Sequence, residues 1–242
     1  NAILVVSGDV TTNDVKPLAE KFYGVIPFMA VPEHTRPIAP NFPAPVRVTF
    51  SDKDIHESAF MRGWRAPGFM MNKHDSLALE VLMETLDGGA STELYQSLVV
   101  NNKKATNISL SYDAATRGEG SIWLTATPAP NVSLEELESA LDSKIGDLIG
   151  NGIKAAEIEK AKSRIIDRAI YARDSVMGPA MTIGQNLSYG ASLDDIENWP
   201  SLIAAISPSD VQNVLEKYLN PLTPAHQPVT GFLKPLTTPN KR

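Results

Sequence analysis

Between Leu86 and Val99 the chain reads Leu-Asp-Gly-Gly-Ala-Ser-Thr-Glu-Leu-Tyr-Gln-Ser-Leu-Val. Ala78, Leu79, Leu82, Met83 and Leu86 recur before it at helical spacing, so a helix runs into two glycines. Gly88 is placed as its C-terminal stop, and Ser91 or Thr92 as the cap of a second helix through Val99. A strand follows from Ala105 to Tyr112, in which Ile108, Leu110 and Tyr112 alternate with Asn107, Ser109 and Ser111. No cofactor loop has this order of helix, glycine pair, helix and strand.

The 242 residues allow one large domain, or one domain and a fragment, with ample material for a core. Net charge is −6, which argues against nucleic acid or an anionic membrane as partner. The absence of cysteine excludes disulfides, thiolate zinc sites and a cysteine nucleophile, and leaves the redox compartment open. No apolar run approaches the ~18 residues of a membrane helix. Asn1-Ala-Ile-Leu-Val-Val6 is too short for a signal peptide, and with no initiating Met the chain reads as a piece of a longer precursor.

The apolar run Ala2–Ser7, closed by Gly8-Asp9, predicts a buried strand. Thr11-x-x-Asp14 predicts a capped helix through Lys21 that ends near Gly24, with Pro17 one turn in. Residues 27–45 hold six prolines and no periodicity, which marks a linker and a domain boundary. The body, 46–242, then begins with strands at Val46–Ser51 and Ser58–Ala66. Arg117-Gly-Glu-Gly120 reads as a hairpin turn into a strand around Ile122 and Leu124. Ser133-x-x-Glu136 opens a helix with a Leu134, Leu137, Leu141, Ile145, Leu148 stripe. Residues 155–187 predict a long helix interrupted at Gly178-Pro179, and Asp194–Ile206 another near Trp199-Pro200. Ser207-Pro208-Ser209-Asp210 starts a third, and a last strand lies at Pro228–Leu233. The expected fold is α+β, a mainly antiparallel sheet with helices packed on one face. The opening strand echoes Pro228-Val-Thr-Gly231, so residues 1–26 read as the closing strand and helix of an upstream domain.

No catalytic set emerges. His34, His56, His74 and His226 form no His-x-x-x-His or His-x-x-Glu-His. His56-Glu57 is a lone pair beside a strand start, and His34 and His226 are read as solvated. Gly-x-Ser-x-Gly, the Walker loop and Gly-x-Gly-x-x-Gly are all missing. An anion could sit where Gly88-Gly89 meets the next helix, but Glu93 in its first turn disfavours one. Lys160, Lys162, Arg164 and Arg168 interleave with Glu157, Glu159 and Asp167, a solvated face with i,i+4 pairs. Trp64, Trp123 and Trp199 are read as core or interface residues.

The order of these motifs resembles the pitrilysin/insulinase family of zinc metallopeptidases along nearly all of the chain. Asn1–Asp9 with Glu20–Gly24 is similar to the end of that family's first domain. Leu86–Val99 followed by Ala105 is similar to the glycine-rich joint of its second. The resemblance implies a LuxS/processing-peptidase-like metallopeptidase domain, and paired halves that close around a chamber. It places the zinc ligands and the water-activating Glu of His-x-x-Glu-His in an upstream half outside these residues. This chain would then be the C-terminal, zinc-free half, inactive alone, with no catalytic or metal residue of its own. Active members of the family present a substrate-contacting Arg and, seven residues on, a Tyr. Those positions fall on Val99 and Thr106, and neither can make the contacts. The implied partners are the catalytic half, from the same chain or another subunit, and a peptide or unfolded protein, with a dimer also open. The implied compartment is the periplasm or cytoplasm of a bacterium, the periplasm favoured. The alternatives are an assembly subunit of the same fold without proteolytic role, and a stand-alone α+β binding module. The peptidase reading expects an open or apolar face where the missing half docks.

Overall fold

The computed structural model describes residues 2–30, 40, 42, 44–172, 174–223 and 226–236. His34 and much of the proline-rich linker lie outside the described residues. Helix α1 (Thr12–Tyr23) carries the expected capping box: the Asp14 amide donates to the Thr11 side chain, and the Asp14 carboxylate accepts from Thr11. Residues 2–7, expected as a strand, form none. A strand needs a neighbour for its amides and carbonyls, and no described segment supplies one.

Five strands, β1 (Val46–Asp52), β2 (Ala59–Pro67), β3 (Ala105–Asp113), β4 (Glu119–Pro128) and β5 (Val229–Pro235), form one sheet in the order β1-β5-β2-β4-β3. β1 and β5 are parallel; β5–β2, β2–β4 and β4–β3 are antiparallel. The last strand therefore returns to the interior of the sheet, between the first two. Phe60, Trp64, Ile108, Leu110, Ile122, Leu124 and Phe232 point to one face and are buried there.

The helices cover that face: α2 (Lys73–Asp87), α3 (Glu93–Tyr95), α4 (Leu134–Asn151), α5 (Ala155–Ala172), α6 (Gly178–Tyr189), α7 (Leu193–Ala205) and α8 (Pro208–Val214). π-helical turns extend α3 over Gln96–Asn101 and α8 over Leu215–Leu219. The α+β reading holds. The long helix expected over 155–187 instead breaks between Ala172 and Gly178, ahead of the proline, and Pro179 opens α6 in its first turn. Capping boxes Ser133/Glu136 and Ser207/Asp210 form as the spacing predicted, and Ser192/Asp195 adds another.

Helix α2 is the centre of the core: Ala78, Leu79, Val81, Leu82 and Leu86 are fully buried. Glu80 interrupts this run. Its carboxylate accepts from Trp199 Nε1 at 3.2 Å, and burial pushes its pKa from an ordinary 4.5 up to about 7. Between those values the folded protein keeps a proton that the unfolded chain has lost, so stability falls as pH rises through that window. The side chain borders a solvent-reachable cavity, so the penalty is discounted to about 1–3 kcal/mol. Glu80→Gln is expected to raise the unfolding free energy by about that much near pH 8, and by almost nothing near pH ~4.5. Urea titrations at the two pH values check it; an equal change at both would show that charge is not the cause.

Candidate functional site

The sheet has a second face that no described helix covers. Val46, Val48 and Phe50 of β1 point to it, since Arg47 between them reaches the helix side, pairs with Glu138 of α4 and lies over the Phe232 ring. Phe50 is 56% exposed and Val48 54%. Met61, Gly63 and Arg65 of β2 continue the face, and Trp123 of β4 lies across Gly63. A β-carbon on residue 63 would come within 2.9 Å of the indole, so glycine there is what lets the ring lie flat. Trp123 Nε1 donates to Ser121 Oγ at 3.1 Å. Toward β3 the face turns polar, with Ser111, Thr125 and Thr127, while the Ser109 hydroxyl is taken by Asp87 of α2. One half thus offers apolar and aromatic surface, the other hydroxyls.

A second unpartnered surface lies at the N-terminal end. Helix α1 buries none of its residues. Ile3, Leu4, Leu18, Phe22, Ile26 and Phe28 are all exposed, Phe28 at 93%. Ser7 Oγ does donate to the Val176 carbonyl at 2.7 Å. Apolar side chains with this spacing belong against something, and the body of the chain does not cover them.

The glycine joint differs in detail from its sequence reading. Gly88 has φ −75°, and the positive φ falls on Gly89 at 132°. Residue 88 must be glycine for another reason: a β-carbon there would meet the Glu84 carbonyl oxygen at 2.3 Å and Arg164 Nη2 at 2.7 Å. Thr92 occupies the cap position, but its hydroxyl donates back to the Gly89 carbonyl at 2.6 Å rather than accepting from the helix, and Ser91 is exposed. Glu93 pairs with Lys144 of α4 at 2.6 Å. The joint fastens α2, α3 and α4 together. Val99 lies in the π-helical turn, half-buried against the core. Thr106 is exposed on β3 beside a register shift, its hydroxyl 3.4 Å from the Thr127 carbonyl.

Zinc finds no fitting donor set among the described residues. His56 and Glu57 are exposed between β1 and β2, while His74 sits on the first turn of α2, 3.1 Å from Asp210. His226, read from sequence as solvated, is instead half-buried and packs on the Tyr218 ring at 4.6 Å, beside a cavity of about 220 Å³. Burial, with Lys217 nearby, holds its pKa below the usual imidazole value. Among the described residues no three His, Cys, Asp or Glu side chains could hold a metal ion, and no helix is long and apolar enough to cross a membrane.

Sequence reasoning passed over the charged cluster under the sheet. Arg62 of β2 donates to Glu138 at 2.5 Å, to Asp142 and to Thr230 Oγ1 at 3.1 Å. The signal was available: Arg62 alternates in phase with Phe60 and Trp64, and Glu138 follows Leu134 and Leu137 on the inward stripe of α4.

The same fold occurs in a protease from Helicobacter pylori, with 22% identity and a TM-score of 0.83 over 95% of this chain and 54% of that one. A conserved protein from Enterococcus faecalis matches with 18% identity and a TM-score of 0.73 over 96% of this chain and 52% of that one. A peptidase M16 inactive domain from Pseudomonas fluorescens matches with 15% identity and a TM-score of 0.71 over 96% and 52%. The chain spans about half the length of these solved structures. No curated protein matches it. The family model described as peptidase M16 inactive domain matches residues 1–165, and the chain belongs to that family, the zinc-free domain of the pitrilysin/insulinase metallopeptidases.

Proposed function

We propose that this chain is the zinc-free half of a two-half M16 peptidase, docking on a His-x-x-Glu-His half and holding peptide against its open sheet face. The observation that carries this reading is the apolar surface of residues 2–30, left unburied beside a complete core. Residues 1–26 are read as the closing strand and helix of the neighbouring domain, joined by the linker 27–45 to the body 46–242. Zinc and the activated water belong to that other half. This one contributes a wall: apolar and aromatic at β1, β5 and Trp123, hydroxyl-bearing at β3 and β4, which suits an unfolded segment better than a folded surface. A ferredoxin protease, FusC, solved in complex with ferredoxin, matches with a TM-score of 0.66 and 14% identity over 95% of this chain and 24% of that one, and supports a protein substrate. A periplasmic protease from Escherichia coli, with a TM-score of 0.70 and 19% identity, supports a periplasmic setting.

One observation favours a second reading. If the resemblance aligns Val99 and Thr106 with the substrate-contacting Arg and Tyr of active relatives, neither reproduces those groups: Val99 is apolar and half-buried, and Thr106 offers only a short hydroxyl. A partner or assembly subunit without its own proteolytic role fits that loss.

The test is to express the chain alone and with a His-x-x-Glu-His half. Alone it is expected to bind no stoichiometric zinc and to turn over no unfolded-protein substrate; combined, the two are expected to co-elute and cleave. Zinc and turnover in the isolated 242 residues would sink the proposal. Co-elution without cleavage would favour the assembly reading.

A further inference from the structure

Away from the open sheet face, a cavity of about 730 Å³ lies among α2, α5, α6, α7 and the loop that follows β3. Its wall is largely apolar, with Ala169, Ala172, Ile183 and Ile196, and it carries aromatic rings from Phe69, Tyr189 and Trp199. Glu80 forms part of the floor, and an adjoining groove of about 510 Å³ shares Glu80, Ala169, Ala172 and Trp199. None of the described residues lining the larger cavity is a lysine or arginine, and the adjoining groove carries Arg168 on its rim.

The charge balance at this floor is unfinished. Arg164 and Arg168, the guanidinium groups nearest on α5, are both spent on Glu84, at 2.7 and 2.6 Å. Asp87 accepts from the Leu110 amide at 2.7 Å. Glu80 accepts one hydrogen bond, from Trp199, and among the described residues it makes no ion pair. Glu197 lies exposed among the lining residues and adds a second negative charge. A half-buried carboxylate with no cation among the described residues is costly once it ionises. Here it is set among rings whose faces attract cations and beside small aliphatic side chains that accommodate an alkyl stem. A cavity of this volume with few polar groups has the proportions of a small-ligand site.

We propose that this cavity binds an organic cation, an alkylammonium or guanidinium group, with Glu80 as its counter-ion and Trp199 and Tyr189 as its aromatic wall. The cation has two sources. As a free amine it makes the site independent of the peptidase reading. As a lysine or arginine side chain of a bound peptide it rests on that reading and adds a contact on the helix side, beyond the segment held on the open sheet face.

The experiment is calorimetric titration of the chain with agmatine, with acetyl-Ala-Ala-Arg-Ala-Ala-amide, and with the same peptide carrying citrulline in place of arginine. Saturable binding of agmatine, of the arginine peptide, or of both is expected. The citrulline peptide and the Glu80→Gln variant are expected to bind at least about tenfold more weakly, the variant first shown to be folded by circular dichroism. Binding of agmatine alone assigns a free amine; binding of the peptide alone assigns a basic side chain. Equal binding by citrulline and arginine, equal binding by Glu80→Gln and the unaltered chain, or no saturation by either cation up to ~10 mM overturns the site. Should Glu80→Gln fail to fold, the arginine–citrulline comparison decides alone. If the joined halves cleave peptide and Glu80→Gln changes nothing, this site fails and the peptidase reading stands. If the halves never associate and agmatine still binds, the reverse holds.

Discussion

Arg62→Ala is expected to lower the free energy of unfolding by about 3–5 kcal/mol. Arg62 is 4% exposed, with its guanidinium between the sheet and α4, 5.2 Å from the Phe60 ring centroid and 5.8 Å from that of Trp64. Its loss strands Glu138, whose side chain is 9% exposed, and leaves that carboxylate only Arg47, itself half in solvent. Asp142 is more exposed and rehydrates at little cost. Most of the expected loss is thus the cost of an uncompensated buried charge, not the strength of the pair. Replacing both partners, as Arg62→Met with Glu138→Leu, is therefore expected to recover most of it. Urea denaturation of the single and double variants decides the point. A single-variant loss below about 1 kcal/mol would mean that the cluster is more hydrated than its burial implies.

Leu82→Ala should cost a similar ~3–5 kcal/mol, because the side chain is wholly enclosed on the central helix and its removal leaves a cavity. The informative comparison is with α1. Leu18→Ala and Phe22→Ala delete side chains that are 56% and 62% exposed, and each should change the stability of the isolated chain by less than about 0.5 kcal/mol. The same two variants are expected to weaken association with a catalytic half. Thermal melts of the chain alone and pull-downs with that half separate the two effects. A large loss in the isolated chain would place α1 in this body's own core, against the reading of residues 1–26.

Local chemistry was the legible part. Thr11/Asp14, Ser133/Glu136 and Ser207/Asp210 form their capping boxes because both partners lie within one turn and need nothing else. β1 to β4 follow their alternation because a half-buried strand needs two unlike faces. The misreadings turn on where the folded backbone places each partner, which residue spacing alone does not give. Residues 2–7 have a strand's composition without a strand's neighbour. Gly88 is required by the Glu84 carbonyl oxygen one turn back, 2.3 Å from where a β-carbon would sit, rather than by a positive φ. Thr92 bonds backward because the Gly89 carbonyl is turned toward it. His226 packs on Tyr218 across a short turn and hydrogen-bonds the backbone of Arg65 on β2, a strand far away in the chain.

The sequence by itself determined the α+β class, the succession of elements, the glycine joint that marks the family, and the lack of a His-x-x-Glu-His motif, because each is written in neighbouring residues. Only the tertiary structure decided that no described helix covers one sheet face, that α1 buries none of its residues, that Arg62 is buried with Glu138, and that Glu80 lines a cavity with no cation among its described residues. Burial and charge balance are sums over segments far apart in the chain, and no local pattern of residues contains them.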